Sequence, residues 1–153
     1  MLANHPQICL FQPEIPQNTG AIARLAAGAG CRLHLVKPLG FSLGEKELRR
    51  AGLDYWPYLD LEIHDDLDQL LQVFGPSVAF LSKFGTTPYT SIPTSTSLLV
   101  FGRETTGLPP HIKSKYQDQL YRIPIFHPAV RSLNLANAVS VIVYDQLSRR
   151  GAW

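Results

Sequence analysis

Residues 98–109 read LLVFGRETTGLP, and the first four letters decide the fold. Leu98–Phe101 is apolar throughout, without polar alternation, which marks a strand covered on both faces. Val78–Leu81 (VAFL) has the same character. Outward from these two runs, strand and helix patterns alternate. Residues 7–12 (QICLFQ) read as a strand and are followed by the turn PEIPQ. Asn18 is placed to cap a helix over 19–29 that ends near Gly30. Residues 32–36 (RLHLV) form a strand, 45–51 a short helix stopped by Gly52, and Leu61–His64 another strand. A helix over Leu67–Phe74 takes Asp65 or Asp66 as its cap, 120–123 is a further strand, and 133–147 is the longest helical pattern, with Ser132 able to cap it. This alternation predicts one α/β domain over 1–153, with a mostly parallel sheet flanked by helices. A ligand is then expected beyond the carboxyl ends of the strands. The loops to inspect follow Gln12, Leu81, Phe101 and Ile123.

The 153 residues are 45% apolar, enough to fill one core, and carry a net charge of +2. No apolar run approaches the ~18 residues that cross a membrane. The opening MLANHPQICLF has no basic region before a long apolar stretch, so it does not read as a signal peptide. Cys9 and Cys31 stand in apolar contexts as buried thiols, which fits a reducing cytoplasm. The five histidines are scattered, with neither CxxC nor His/Cys spacing for zinc, so no metal is expected. Charge is uneven. Six acids between Ala51 and Ser82, with no Lys or Arg among them, leave +8 on the remainder. A protein facing a polyanion shows such asymmetry, as does an ordinary solvated acidic helix edge.

Three loops hold the unusual residues. In the first, Pro16-Gln-Asn-Thr-Gly-Ala-Ile-Ala-Arg24, Asn18 caps the helix and Gly20 allows another backbone to approach. Arg24 emerges in the second turn, at the edge of a face made apolar by Ile22, Leu25 and Ala26. In the second, the apolar strand runs straight into Gly102, with Glu104 two residues on. A glycine there means a positive φ, a ligand pressed on backbone, or a plain tight turn. Gly107-Leu-Pro-Pro then starts another element. In the third, residues 122–138 (RIPIFHPAVRSLNLANA), Asn134 and Asn137 share one helix face, and either amide taken singly reads as a capping device. Asn137 lies too far along to cap, which favours contact with a ligand or partner. Dinucleotide, P-loop, nucleophile-elbow and HExxH patterns are absent.

Taken in order, N-T-G-x-x-x-R, F-G-x-E-x-x-G-L-P and I-P-x(7)-S-L-N-L-A-N-A resemble the three signature motifs of the SPOUT superfamily, SpoU branch. Each fragment alone is weak, but the ordered set spans nearly the whole chain. P-E-I-P-Q-N-T-G, L-R-R-A-G-L-D-Y at 48–55 and the compact length are similar to the tRNA (cytidine/uridine-34-2′-O)-methyltransferase family. The resemblance implies a SPOUT fold with a C-terminal trefoil knot, which general topology rules disfavour. It implies S-adenosyl-L-methionine as methyl donor, held largely by backbone at Leu81, Gly102, Ile123 and Ser132, with Leu133 adjacent. It also implies that Arg24 serves a ribose 2′-hydroxyl, as a charged stabiliser because guanidinium stays protonated. Asn18 would orient Arg24 or the ribose, while Glu104, Asn134 and Ser132 order the site.

The substrate implied is tRNA, at wobble nucleotide 34 of the anticodon stem-loop. The alternatives are an rRNA 2′-O-methyltransferase and a non-catalytic RNA-binding module on the same fold. The final helix bears one apolar stripe at Ala136, Val139, Val143 and Leu147, and a second at Leu135, Ala138 and Ile142, widened by Val141 and Tyr144. Such breadth predicts a homodimer contact, with Val139 as an interface member, or else a helix sunk in its own core.

Overall fold

Every apolar run read as a strand enters one parallel sheet. The computed structural model describes residues 1–44, 46, 48, 50 and 54–153. Its strands are β1 (Gln7–Phe11), β2 (Leu33–Val36), β3 (Leu61–His64), β4 (Val78–Leu81), β5 (Thr87–Pro88), β6 (Leu98–Phe101) and β7 (Leu120–Arg122). They lie side by side in the order β3-β2-β1-β6-β4-β7-β5, and every pairing is parallel. The two-residue β5 has no apolar pattern and is not legible from composition. The short helix expected over 45–51, with its stop at Gly52, lies largely outside the described residues.

Alternate side chains of the central strands feed two cores, as a pleated strand requires. Ile8 and Leu10 of β1, Leu33 and Leu35 of β2, and Leu99 and Phe101 of β6 face α1 (Pro16–Ala29) and the C-terminal helix. Cys9, Val36, Leu98 and Val100 face α2 (Leu67–Phe74) and α3 (Pro110–Lys115). Both cysteines are free and buried, and burial pushes the Cys31 thiol up to about 12. His34, 2% exposed, stands on the α2 face, where burial pushes its pKa down to about 4, helped by His64 and Arg32.

Two helix starts differ from expectation. Helix α1 begins at Pro16, with Ile15 as its N-cap, so Asn18 lies inside the first turn rather than at the cap. Proline at the first helical position has the required φ and lacks an N–H that would be orphaned there. The end agrees: Gly30 adopts φ 65° and closes the helix. The last helix, α4 (Leu135–Arg149), is capped by Asn134 and not by Ser132, since Asn134 accepts from the N–H groups of Ala136 and Asn137. On α2 the cap is Asp66, which accepts from Asp68 N.

Helix α4 resolves its apolar breadth inside the chain. Val139, Ile142, Val143 and Leu147 are buried against α1 and the sheet. Val139 therefore belongs to the protein's own core and is not an interface member. Val141 and Tyr144 remain exposed on the outer side. The end of α4 is tied down by polar contacts: Gln146 and Arg149 donate to the Ile92 carbonyl, and Arg150 donates to the carbonyls of Asn4 and Thr96.

Candidate active site

Register places the loop residues in a row. Leu81 of β4 stands beside Phe101 of β6 on one side and Tyr121 of β7 on the other. Gly102 and Ile123 follow those neighbours by one and two residues, so Leu81, Gly102 and Ile123 line the carboxyl edge of three adjacent strands. Leu81 and Ile123 are half-buried, offering apolar wall, while Ser132 and Leu133 are exposed just before α4. Among the described residues, the backbone N–H groups of Arg131, Ser132 and Leu133 have no protein hydrogen-bond partner. Apolar walls with free backbone donors suit the adenine edge of S-adenosylmethionine, and no ionic ligand is needed to hold it.

Gly102 is explained by its own chain. A Cβ there would lie 2.3 Å from Gly107 C and 2.5 Å from Leu108 N. Arg103 and Gly107 exchange two backbone hydrogen bonds of 3.0 Å each, and Gly107 takes φ 69° to close the turn. The glycine thus serves a tight turn pressed on backbone, and Gly107 is the residue with the positive φ.

A reciprocal clamp joins this turn to the loop after β1. Glu104 accepts from the backbone N–H groups of Glu14 (2.8 Å) and Ile15 (3.1 Å). Glu14 in return accepts from Thr105 N (3.0 Å) and Thr105 Oγ1 (2.8 Å), with Arg103 at 3.4 Å. These Thr105 bonds, reinforced by the Arg103 charge, hold the Glu14 carboxyl below its ordinary range. Glu104 therefore orders the first loop from the second. Glu14 and Thr105 are absent from the sequence-derived set, because their partners lie some ninety residues away and leave no local pattern.

Asn18 and Asn134 meet directly. Asn134 Nδ2 donates to Asn18 Oδ1 at 2.9 Å, bridging the first and third loops, while its own Oδ1 caps α4. Asn18 is nearly buried. Asn134→Ala removes both roles and is expected to cost about 1–2 kcal/mol of stability. Asn134→Asp keeps the cap acceptor but loses the amide donor, so it should unfold near the wild type while losing activity. Thermal unfolding beside a methyl-transfer assay checks the pair; an active Asn134→Asp enzyme rejects the bridge.

Arg24 stands apart from that network. It is exposed, and its guanidinium carbon lies 4.7 Å from the ring centroid of Tyr55. Six residues of helix separate it from Asn18, about 9 Å along the axis. Asn18, Asn134 and the Glu104 clamp thus form a scaffold, with Arg24 displayed on the surface by an aromatic platform. Tyr55 ends the 48–55 stretch quoted above, so two segments noted separately in the sequence come together here. Asn137 is exposed, and its side chain makes no hydrogen bond among the described residues.

A parallel α/β sheet with three tied loops at its carboxyl edge is the doubly covered class of domain, in which ligands bind beyond the strand ends. The SpoU rRNA Methylase family model matches residues 5–144, and the chain belongs to that family. A tRNA (cytidine(34)-2'-O)-methyltransferase of Methylovorus glucosotrophus is 43% identical, with 90% of this chain and 91% of the relative covered. A solved structure described as giving structural insights into the 2-OH methylation of C/U34 on tRNA superposes with TM-score 0.88 at 39% identity, covering 99% of this chain and 100% of the other. An AdoMet-bound rRNA methyltransferase from Sinorhizobium meliloti superposes with TM-score 0.83 at 25% identity, covering 95% of this chain and 56% of that one.

Proposed function

We propose that the protein methylates the ribose 2′-hydroxyl of nucleotide 34 in the anticodon loop of tRNA, as a tRNA (cytidine/uridine-34-2′-O)-methyltransferase. The observation that carries the reading is the row of Leu81, Gly102 and Ile123 at the sheet's carboxyl edge, locked by the Glu14–Glu104 clamp and the Asn18–Asn134 bridge. The near-full-length likeness to tRNA-34 enzymes favours tRNA over rRNA. A pure binding module has no use for the first-loop arginine, Arg24, in a chain that also keeps the cofactor edge.

Backbone groups at Leu81, Gly102, Ile123 and Ser132, with Leu133 adjacent, hold S-adenosyl-L-methionine, which when bound supplies an electrophilic methyl group. The clamp fixes those groups before substrate arrives, so alignment costs little at the moment of reaction. Arg24 binds the phosphate beside the target ribose and stabilises charge growing on the 2′-oxygen. Asn18 and Asn134 hold the helix ends that carry these groups.

Charge supports an RNA partner. Asp60 and Glu62 pair with Arg32 beside edge strand β3, whereas Lys83, Arg122 and Arg131 are exposed near the carboxyl ends of β4 and β7. Phe84 is 61% exposed, with the Lys113 ammonium 4.5 Å and the Lys83 ammonium 5.2 Å from its ring centroid. An exposed ring between cations suits an unpaired base.

A C-terminal trefoil knot belongs to the same reading, supported by the return of α4 from β7 onto α1 and its ties to Ile92 and Thr96. So does a homodimer, supported by exposed Phe126, Val130, Leu133, Val141 and Tyr144 on and before α4. No helix among the described residues is long and apolar enough to cross a membrane, and the free thiols suit the cytoplasm.

The test is nucleoside mass spectrometry of tRNA incubated with the protein and labelled S-adenosylmethionine. Label on the 2′-oxygen of nucleotide 34 is expected; label elsewhere rejects the position, and no transfer to any RNA rejects the enzyme. Sedimentation should give twice the 17.0 kDa chain mass, and an active monomer removes the dimer.

A further inference from the structure

The histidines that look scattered in sequence are not all scattered in space. On β3, Glu62 and His64 are two residues apart and share a face, and β2 sets His34 directly opposite Glu62. His34 Nδ1 lies 2.8 Å from His64 Nε2, and Glu62 Oε2 lies 3.6 Å from each. A triangle with sides of 2.8, 3.6 and 3.6 Å has its centre about 2.0 Å from every corner, which is the Zn–N and Zn–O bond length.

The surroundings match a ligand set. His34 Nε2 donates to Gln7 Oε1 at 2.6 Å, which leaves Nδ1 with its lone pair facing the other two groups. Arg32 donates to Glu62 Oε1 at 2.9 Å and is itself bonded to Asp60, so Glu62 is held with Oε2 turned toward the histidines. Burial grades outward, from His34 at 2% through His64 at 22% to Glu62 at 43% exposure, leaving the solvent side for water as a fourth ligand. The Phe74 ring packs edge-on against His34 and closes the inner side.

The geometry points to a divalent transition-metal site, with zinc the best fit, made by His34 Nδ1, His64 Nε2 and Glu62 Oε2. Two imidazoles and one carboxylate suit zinc and neighbouring first-row ions and do not suit magnesium. The ion would staple β3, which among the described residues has β2 as its one strand neighbour, onto the sheet. The site is separate from the cofactor edge, since β2 and β6, the nearest strand of that edge, are two strand spacings apart, about 10 Å.

The experiment uses the full chain, stripped with chelator and titrated with zinc chloride. Calorimetry should show one equivalent bound, and saturating zinc should raise Tm by about 5 °C or more, while magnesium chloride does neither. Cobalt(II) should give visible absorption bands of a four-coordinate site. His64→Gln and Glu62→Gln change partly exposed side chains, so both should fold. Each should weaken zinc binding by about 100-fold, at the top of the range for losing even an outer-shell partner. Absence of stoichiometric zinc binding leaves only a hydrogen-bonded histidine pair and overturns the proposal. So does zinc binding that survives in both variants, because the ion then sits elsewhere.

Discussion

Arg24→Ala is expected to slow methyl transfer to tRNA about 100-fold or more while leaving S-adenosylmethionine affinity within about twofold. The residue is exposed and rests on Tyr55, outside the Asn18–Asn134 bridge and the Glu14–Glu104 clamp. Its loss therefore removes a charge without disturbing the loops proposed to hold the cofactor. Guanidinium offers donors and no acceptor, so the role proposed for Arg24 is electrostatic stabilisation and phosphate contact rather than proton abstraction. Arg24→Lys retains the charge but not the planar fork, and should recover only part of the rate. Steady-state rates with tRNA, beside calorimetric cofactor binding, separate the two effects. A rate within threefold of wild type in Arg24→Ala would remove the arginine from the reaction.

The second large effect concerns Gly102→Ala. The added Cβ would meet Gly107 C at 2.3 Å, Leu108 N at 2.5 Å and Gly107 Cα at 2.7 Å, and all three are backbone atoms. They cannot step aside, because the paired Arg103–Gly107 hydrogen bonds and the buried Leu108 hold that segment. Overpacking costs up to about 3 kcal/mol, or more where nothing flexible yields. For a chain of this size that is a drop in Tm of roughly 6–12 °C. Displacing the turn also breaks the clamp, so cofactor binding should fall as well. Gly28→Ala is the opposite case. Gly28 lies within α1 with nothing within 4 Å of the new methyl, so the helix should gain about 0.5–1 kcal/mol. Calorimetry and thermal melts of both variants test the contrast. An unchanged melt for Gly102→Ala would mean that the turn is not packed as described.

Strand identity and sheet class were legible in the chain because hydrophobic periodicity acts locally. Four apolar residues at Leu98–Phe101 and at Val78–Leu81 require cover on both faces, and a parallel sheet provides it. The three loops were legible for a related reason: their unusual residues cluster in the turns that end those strands, where the structure ties them together. Helix starts were less so. Pro16 at the first helical position takes precedence over Asn18 as the start signal, and Asn134 caps where Ser132 has the equivalent chemistry two residues earlier. Those outcomes depend on how each loop meets its neighbours.

What the tertiary structure alone decides is pairing across distance. The exchange between Glu14 and Glu104, the bridge from Asn18 to Asn134 and the stacking of Arg24 on Tyr55 each join segments with no shared local pattern. The same holds for Val139. Its stripe is equally apolar whether it meets a second subunit or its own sheet, and the path of α4 onto α1 sends it to the core. His34 and His64 are thirty residues apart, beyond any local ligand spacing, and become neighbours because β2 and β3 pair in one particular register. A side chain's chemistry is set by its residue type, but its partners are set by strand register and helix packing. Those emerge only when the whole chain closes on its core.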